Sequence, residues 1–132
     1  MCGIPIFVTD RELAALVCRS LLRLISSHGF GYRDTSYRGL LAADLGADGM
    51  ECLVQPTANI RVGGQTLGQS VLDCVLVENR CAVKVLALRD TITATDRAQL
   101  QTSLKHLALP WGIIVNFGKA NLELRWVKHP MS

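Results

Sequence analysis

The stretch VENRCAVKVLALRD, Val77 to Asp90, sets a single charge, Lys84, inside a run that is otherwise apolar from Cys81 to Leu88. A lysine in such a run has two stable arrangements. It lays its stem on apolar surface and keeps its ammonium in water at a strand edge, or a carboxylate holds it in place. Few other residues have the spacing that chemistry needs. His28, His106 and His129 show no metal-ligand spacing with one another or with the cysteines. Cys2, Cys18, Cys52, Cys74 and Cys81 are odd in number, scattered and mostly inside apolar segments, the pattern of reduced core residues. The glycines of GFG (Gly29 to Gly31) and VGG (Val62 to Gly64) lack the strand-to-helix context of a phosphate loop and read as turns. Asp34 stands early in a short helix, where the helix dipole favours an acid whatever its role. Arg33 and Arg38 beside the glycine turn, with Lys119, Arg125 and Lys128, are enough for a modest basic rim, although exposed charges at this density are usual.

The elements that must position these groups follow from periodicity. Thr9 and Glu12 stand at capping-box spacing, and Leu13, Val17, Leu21 and Leu24 make one stripe, which predicts a helix over about Arg11 to Ser27. HGFGYRD breaks it, and Asp34, Tyr37, Leu40 and Leu41 recur at helical spacing in a second, shorter helix. From Glu51 the period becomes two. ECLVQ and NIRV read as short strands, GGQ as a turn and SVLDCVLV as one longer strand. ENR turns the chain into CAVKVLAL. Thr93 or Thr95 then caps a helix whose inward stripe is Leu100, Leu104 and Leu107, and WGIIVNFG and NLELRWVKH close the chain as strands. The helix between Leu88 and Trp111 is long enough to cross over between parallel neighbours. The order predicts an α/β protein, a mixed sheet with helices packed on it.

At 132 residues and 49% hydrophobic composition, the chain is expected to be a single domain, residues 1–132, burying about two thirds of the surface its unfolded form exposes. A net charge of +3 is far from the dense positive field of a dedicated nucleic-acid binder and selects no partner by itself. The start MCGIPIFVTDRE has no basic segment before an apolar one, and no stretch reaches the ~18 apolar residues of a membrane span. A cytoplasmic protein without a membrane role is expected.

Several motifs in this order resemble a known family. GFGYRDTSY, Gly29 to Tyr37, is similar to the glycine pair, acid and tyrosine of the small bacterial GxxExxY proteins, with Asp34 in place of the glutamate and Tyr37 matching the tyrosine. Gln55 and Pro56 sit where that family has glutamine before an apolar strand. AQLQTSLK, Ala98 to Lys105, resembles its alanine-glutamine-leucine helix, and WGIIVNFGKANLELRWV resembles its last two strands, above all in NFG at Asn116 to Gly118. The resemblance runs from about Val8 to Val127 and implies the PD-(D/E)XK, restriction-endonuclease-like core.

Active members of that superfamily bring an aspartate from one strand and an acid-x-Lys pair from the next. The two carboxylates hold Mg²⁺, and the lysine positions or deprotonates the attacking water. Acid and lysine two apart on a strand share a face. Here the resemblance implies Asp73 as the first aspartate, one residue early. It places Lys84 where the second acid belongs and Leu86 where the lysine belongs; a shift of one residue gives Val85 and Ala87. Neither register supplies the pair. A helix histidine of the family is Ile25 here, and Gln99 is followed one turn later by Ser103 where many relatives have tyrosine. The resemblance thus implies a remnant site of Asp34, Tyr37, Asp73, Lys84 and Gln99 around one cleft. Lys84 then stands at a former ligand position and pairs with Asp73 or Asp34. Asp34 and Asp73 are the candidate metal ligands, and no cofactor is expected unless Mg²⁺ serves an active site. Three functions remain open: a non-catalytic domain binding nucleic acid or a protein, a metal-dependent phosphodiesterase with a rearranged site using Asp34, Asp73 and Lys84, and a self-assembling structural subunit.

Overall fold

The computed structural model describes residues 9–129; Cys2 and the other terminal residues lie outside the described part. The elements are α1 (Asp10–His28), α2 (Asp34–Ala47), β1 (Cys52–Val54), β2 (Thr57–Val62), β3 (Gln65–Val71), β4 (Val75–Val77), β5 (Cys81–Leu86), α3 (Ala94–Leu107), β6 (Trp111–Asn116) and β7 (Glu123–Lys128). The main sheet has the order β1-β4-β5-β6-β7, and β2 and β3 form a separate hairpin. β5 and β6 run parallel through α3, with Lys84 beside Ile114, while the other neighbours are antiparallel. The expected mixed α/β sheet flanked by helices is the observed architecture.

Strand alternation divides the core into two layers. Val83 and Val85 of β5 and Ile113 and Val115 of β6 pack with Leu13, Val17 and Leu21 of α1 and with Tyr37, Leu41 and Leu45 of α2. Ala82 and Leu86 face the other way, in a cluster with Cys74, Leu100, Leu104 and Ile114. By the same alternation Lys84 lies on the α3 side. Thr9 caps α1 through the Glu12 N–H at 3.1 Å. Thr93 caps α3 in a reciprocal capping box with Asp96.

Two expectations are corrected. SVLDCVLV is not one strand: Val71 ends β3 in the hairpin and Val75 begins β4 in the main sheet. The chain bends between them because Leu72 donates its N–H to Pro56 and Cys74 donates its N–H to Leu72, while the Cys74 carbonyl accepts from Gln55. Arg38 does not belong to a basic rim. It is buried on the inward face of α2, at 7% exposure, between Tyr37 and Leu41 along the chain. Arg23 of α1 bridges the two helices through Asp44 (2.7 Å) and Asp48 (2.8 Å) of the segment that ends α2. Burial alone would raise the Asp44 pKa, but the hydrogen bonds from Ser20 and Arg23 outweigh it and hold that carboxyl below its usual value.

Candidate functional site

β4 is only three residues long, so the outer half of β5 runs past its start and leaves a step in the sheet. The bend carrying Asp73 fills that step. From there the Asp73 carboxylate receives two cations. The Lys84 Nζ approaches Oδ2 at 3.5 Å, and Arg38 donates its Nη1–H to Oδ1. The burial is uneven: the side chains of Lys84 and Arg38 are 7% and 8% exposed, against 52% for Asp73. Two enclosed cations thus share one half-solvated carboxylate. Arg38 reaches it from the layer of α1 and α2, and Lys84 from the α3 side.

The other expected site residues do not join this ion cluster. Asp34 is half-buried one turn before Arg38. With Gly31, Tyr32 and Arg33 it lines a hollow of about 400 Å³ whose other wall is Leu86, Ala87 and Leu88, beyond the end of β5. Gln99 is exposed on α3, and its carbonyl accepts the Ser103 hydroxyl at 3.3 Å. Among the described residues, no hydrogen bond or ion pair links Asp34 or Gln99 to Asp73 or Lys84. Tyr37 is fully buried. Its hydroxyl donates to the Gly29 carbonyl at 2.7 Å and accepts the Tyr32 N–H at 3.3 Å, and its ring stacks on Phe117 at 4.1 Å, so it holds the glycine turn against the sheet. Arg38 was missed as part of the constellation. The available signal was its place in the stripe Asp34, Tyr37, Arg38, Leu41, Leu45, which turns it toward the core.

The NFG motif ties the loop after β5 to the end of β6. The Asn116 Oδ1 accepts the Leu88 N–H at 2.8 Å and the Gly118 N–H at 2.9 Å, and its Nδ2 donates to the Asp90 carbonyl at 3.0 Å. Phe117 donates its N–H to the Leu86 carbonyl at 2.8 Å. Glu123 closes this loop from β7. Its carboxylate accepts from the Thr91 hydroxyl, the Ile92 N–H and Asn116, and pairs with Lys119 at 2.9 Å and Arg125 at 3.2 Å. Burial works to raise its pKa. The bonds from Thr91, Lys119, Ile92 and Asn116 win and bring the group down from 4.5 to about 2. Lys119 and Arg125, two of the candidates for a basic rim, are partners of this acid.

The ion that the resemblance implies, Mg²⁺, takes oxygen ligands and keeps several waters. The β5 face beside Asp73 carries an ammonium, Lys84, and an isobutyl group, Leu86, and the other register that the resemblance implies offers Val85 and Ala87, so neither brings an oxygen ligand from β5. Continuing the β4–β5 register past Val75 and Val83 sets Cys74 opposite Lys84. Burial pushes the Cys74 thiol up to about 11, with Asp73 adding to the shift and Lys84 opposing it, so the thiol stays protonated. The remaining oxygen donor, Asp73, is already shared by two cations. This donor set does not fit a divalent ion. Among the described residues, no group of three or more His, Cys, Asp or Glu comes together as a ligand set, and no helix is long and apolar enough to cross a membrane.

No curated protein matches the chain. A solved structure titled "Crystal structure of SSO0001" is similar over 93% of this chain and 59% of its own length, at 14% identity and a TM-score of 0.46, so this chain spans about three fifths of that one. The sequence profile described as PD-(D/E)XK nuclease superfamily matches residues 11–128, and the chain belongs to that superfamily.

Proposed function

We propose that this domain binds nucleic acid without cutting it, its acid-x-Lys position having been given over to a salt bridge. The observation that carries the reading is Asp73 shared between the buried cations Arg38 and Lys84. Lys84 at the second acid's place opposes a metal, and Leu86 at the lysine's place cannot orient water. Superfamily membership supports nucleic acid as the partner. The test is incubation of highly purified protein with single- and double-stranded DNA and RNA in Mg²⁺ or Mn²⁺, with metal titration by calorimetry. Binding without cleavage, and no metal uptake, is the expected result. Metal-dependent cleavage that disappears in Asp73→Asn would overturn it in favour of a rearranged phosphodiesterase using Asp34, Asp73 and Lys84. Restoring the pair by Lys84→Glu with Leu86→Lys is expected to bring back Mg²⁺ affinity before any cleavage, because a ligand set tolerates more positional error than a reaction geometry.

A second reading, self-assembly, is favoured by β3. All seven residues, Gln65–Val71, are exposed, and none is charged or proline, so this free edge is guarded against pairing with another strand only by the bulge opposite Ile60 and Arg61. Sedimentation of the wild type against Leu67→Lys tests it. A concentration-dependent dimer lost in the variant supports assembly, and a monomer throughout removes it.

A further inference from the structure

Phe30 and Tyr32, on the turn between α1 and α2, are 53% and 60% exposed. Their backbone is nevertheless tightly held. Gly29 donates its N–H to the Ile25 carbonyl at 2.9 Å, Gly31 donates its N–H to the Phe117 carbonyl at 3.0 Å, and the Tyr37 hydroxyl bridges the Gly29 carbonyl and the Tyr32 N–H. Gly29 and Gly31 have φ of 78° and 93°, values that L side chains rarely adopt, so the glycines make the bends and the aromatic residues alternate with them. The rings form a ladder from core to solvent. Phe117 and Tyr37 are fully buried and stacked, and Tyr32 stands edge-on to Tyr37 at 6.1 Å and 61°. A ring fixed by an edge contact and 60% exposed presents a face to solvent at little further entropic cost.

We propose that Phe30 and Tyr32 are a stacking platform for the unpaired bases of a single-stranded nucleic acid, with Arg33 beside them for the backbone phosphate. The inference rests on the nucleic-acid reading above and specifies which form of nucleic acid is bound and where. A duplex hides its base faces, so exposed rings offer it nothing. The charges around the hollow also balance, Arg33 and the adjacent exposed Arg89 against Asp34 and the exposed Asp90, which suits attachment through ring faces rather than through a phosphate-tracking basic groove. A protein partner would be better served by continuous apolar surface, whereas here two rings are separated by Gly31 and bordered by Arg33 and Asp34.

The test is fluorescence anisotropy with a labelled single-stranded oligonucleotide, its duplex, and an abasic strand of the same length. Wild type should favour the single strand over the other two, with a shallow dependence on salt. Phe30→Ala and Tyr32→Ala should each weaken binding by about tenfold, and Tyr32→Trp should keep it. Thermal unfolding verifies that each variant is folded, and the Trp variant reports on the platform even if an alanine variant is unstable. If wild type binds but ring variants and the abasic strand bind equally well, the platform is overturned while the nucleic-acid reading stands. Preference for the duplex overturns the platform too. If wild type binds no oligonucleotide, both fall, and self-association altered by Phe30→Ala or Tyr32→Ala would assign the rings to protein contact.

Discussion

Asp73→Ala takes the shared carboxylate from Arg38 and Lys84 and strands two enclosed cations, which is expected to cost about 3 kcal/mol or more. Lys84→Met is a milder change. It leaves Asp73 half in water and still paired with Arg38, and it sets an apolar chain among Ala82, Leu86 and Ile114, so about 1 kcal/mol or less is expected. Chemical denaturation of the two variants checks the order; a larger loss in Lys84→Met would show that Lys84 is the member the cluster depends on. Glu123 gives a pH signature. Its pKa is about 2 in the folded chain against an ordinary 4.5, so its ionisation stabilises the fold fully above pH 4.5, and that contribution drains away as pH falls toward 2. Glu123→Gln should therefore lower Tm at pH 7 far more than at pH 3, and equal losses at both would remove the ionisation from the account. The sequence shows that Lys84 is out of place, but its choice between Asp73 and Asp34 depends on how far β5 outruns β4. That is a tertiary fact, and no local pattern encodes it.

At the scale of elements, the periodic signals were strong where one face of one element meets one layer. The stripe of α1, the cap at Thr93 and the parallel crossover through α3 were all legible for that reason. SVLDCVLV was not, because its nearly continuous run of strand-forming apolar residues carries no local mark of a bend that is set by bonds to Pro56 and Gln55, residues distant in sequence. Arg38 was misread because its residue type suggested solvent while its spacing suggested core. The NFG turn gives the sharpest element-level prediction. A Cβ on Gly118 would lie 2.1 Å from the Leu88 carbonyl oxygen and 2.4 Å from the Leu88 nitrogen. Backbone cannot yield as a side-chain tip does, so Gly118→Ala is expected to cost about 3 kcal/mol or more by displacing the loop between β5 and α3. A Tm within a degree of wild type would contradict that packing.

For the whole molecule, the main sheet is covered by helices on both faces at β5 and β6, all of whose residues are buried, while the β2–β3 hairpin is mostly exposed. Hydrogen exchange should follow this division. Amides of β5 and β6 are expected to exchange only through global opening, and those of β3 fastest among the strands. Equal protection of β3 in a dilute sample would mean that its edge is covered.

The hairpin leaves the main sheet between two paired strands, and the backbone bonds of Gln55 with Cys74 and of Leu72 with Pro56 pinch its base shut. Its tip, Gly63 and Gly64, also divides the chain between α1, α2, β1 and β2 on one side and β3 to β7 on the other. A protease nick at the tip would therefore cut the covalent chain without cutting the fold, since β1–β4 and β2–β3 pairing and the layer of α1 and α2 on the sheet all join the two pieces. The domain is laid out as a split protein: the piece from β3 onward keeps the layer under α3, while the layer between the sheet and α1 and α2 would exist only once two separately made fragments met.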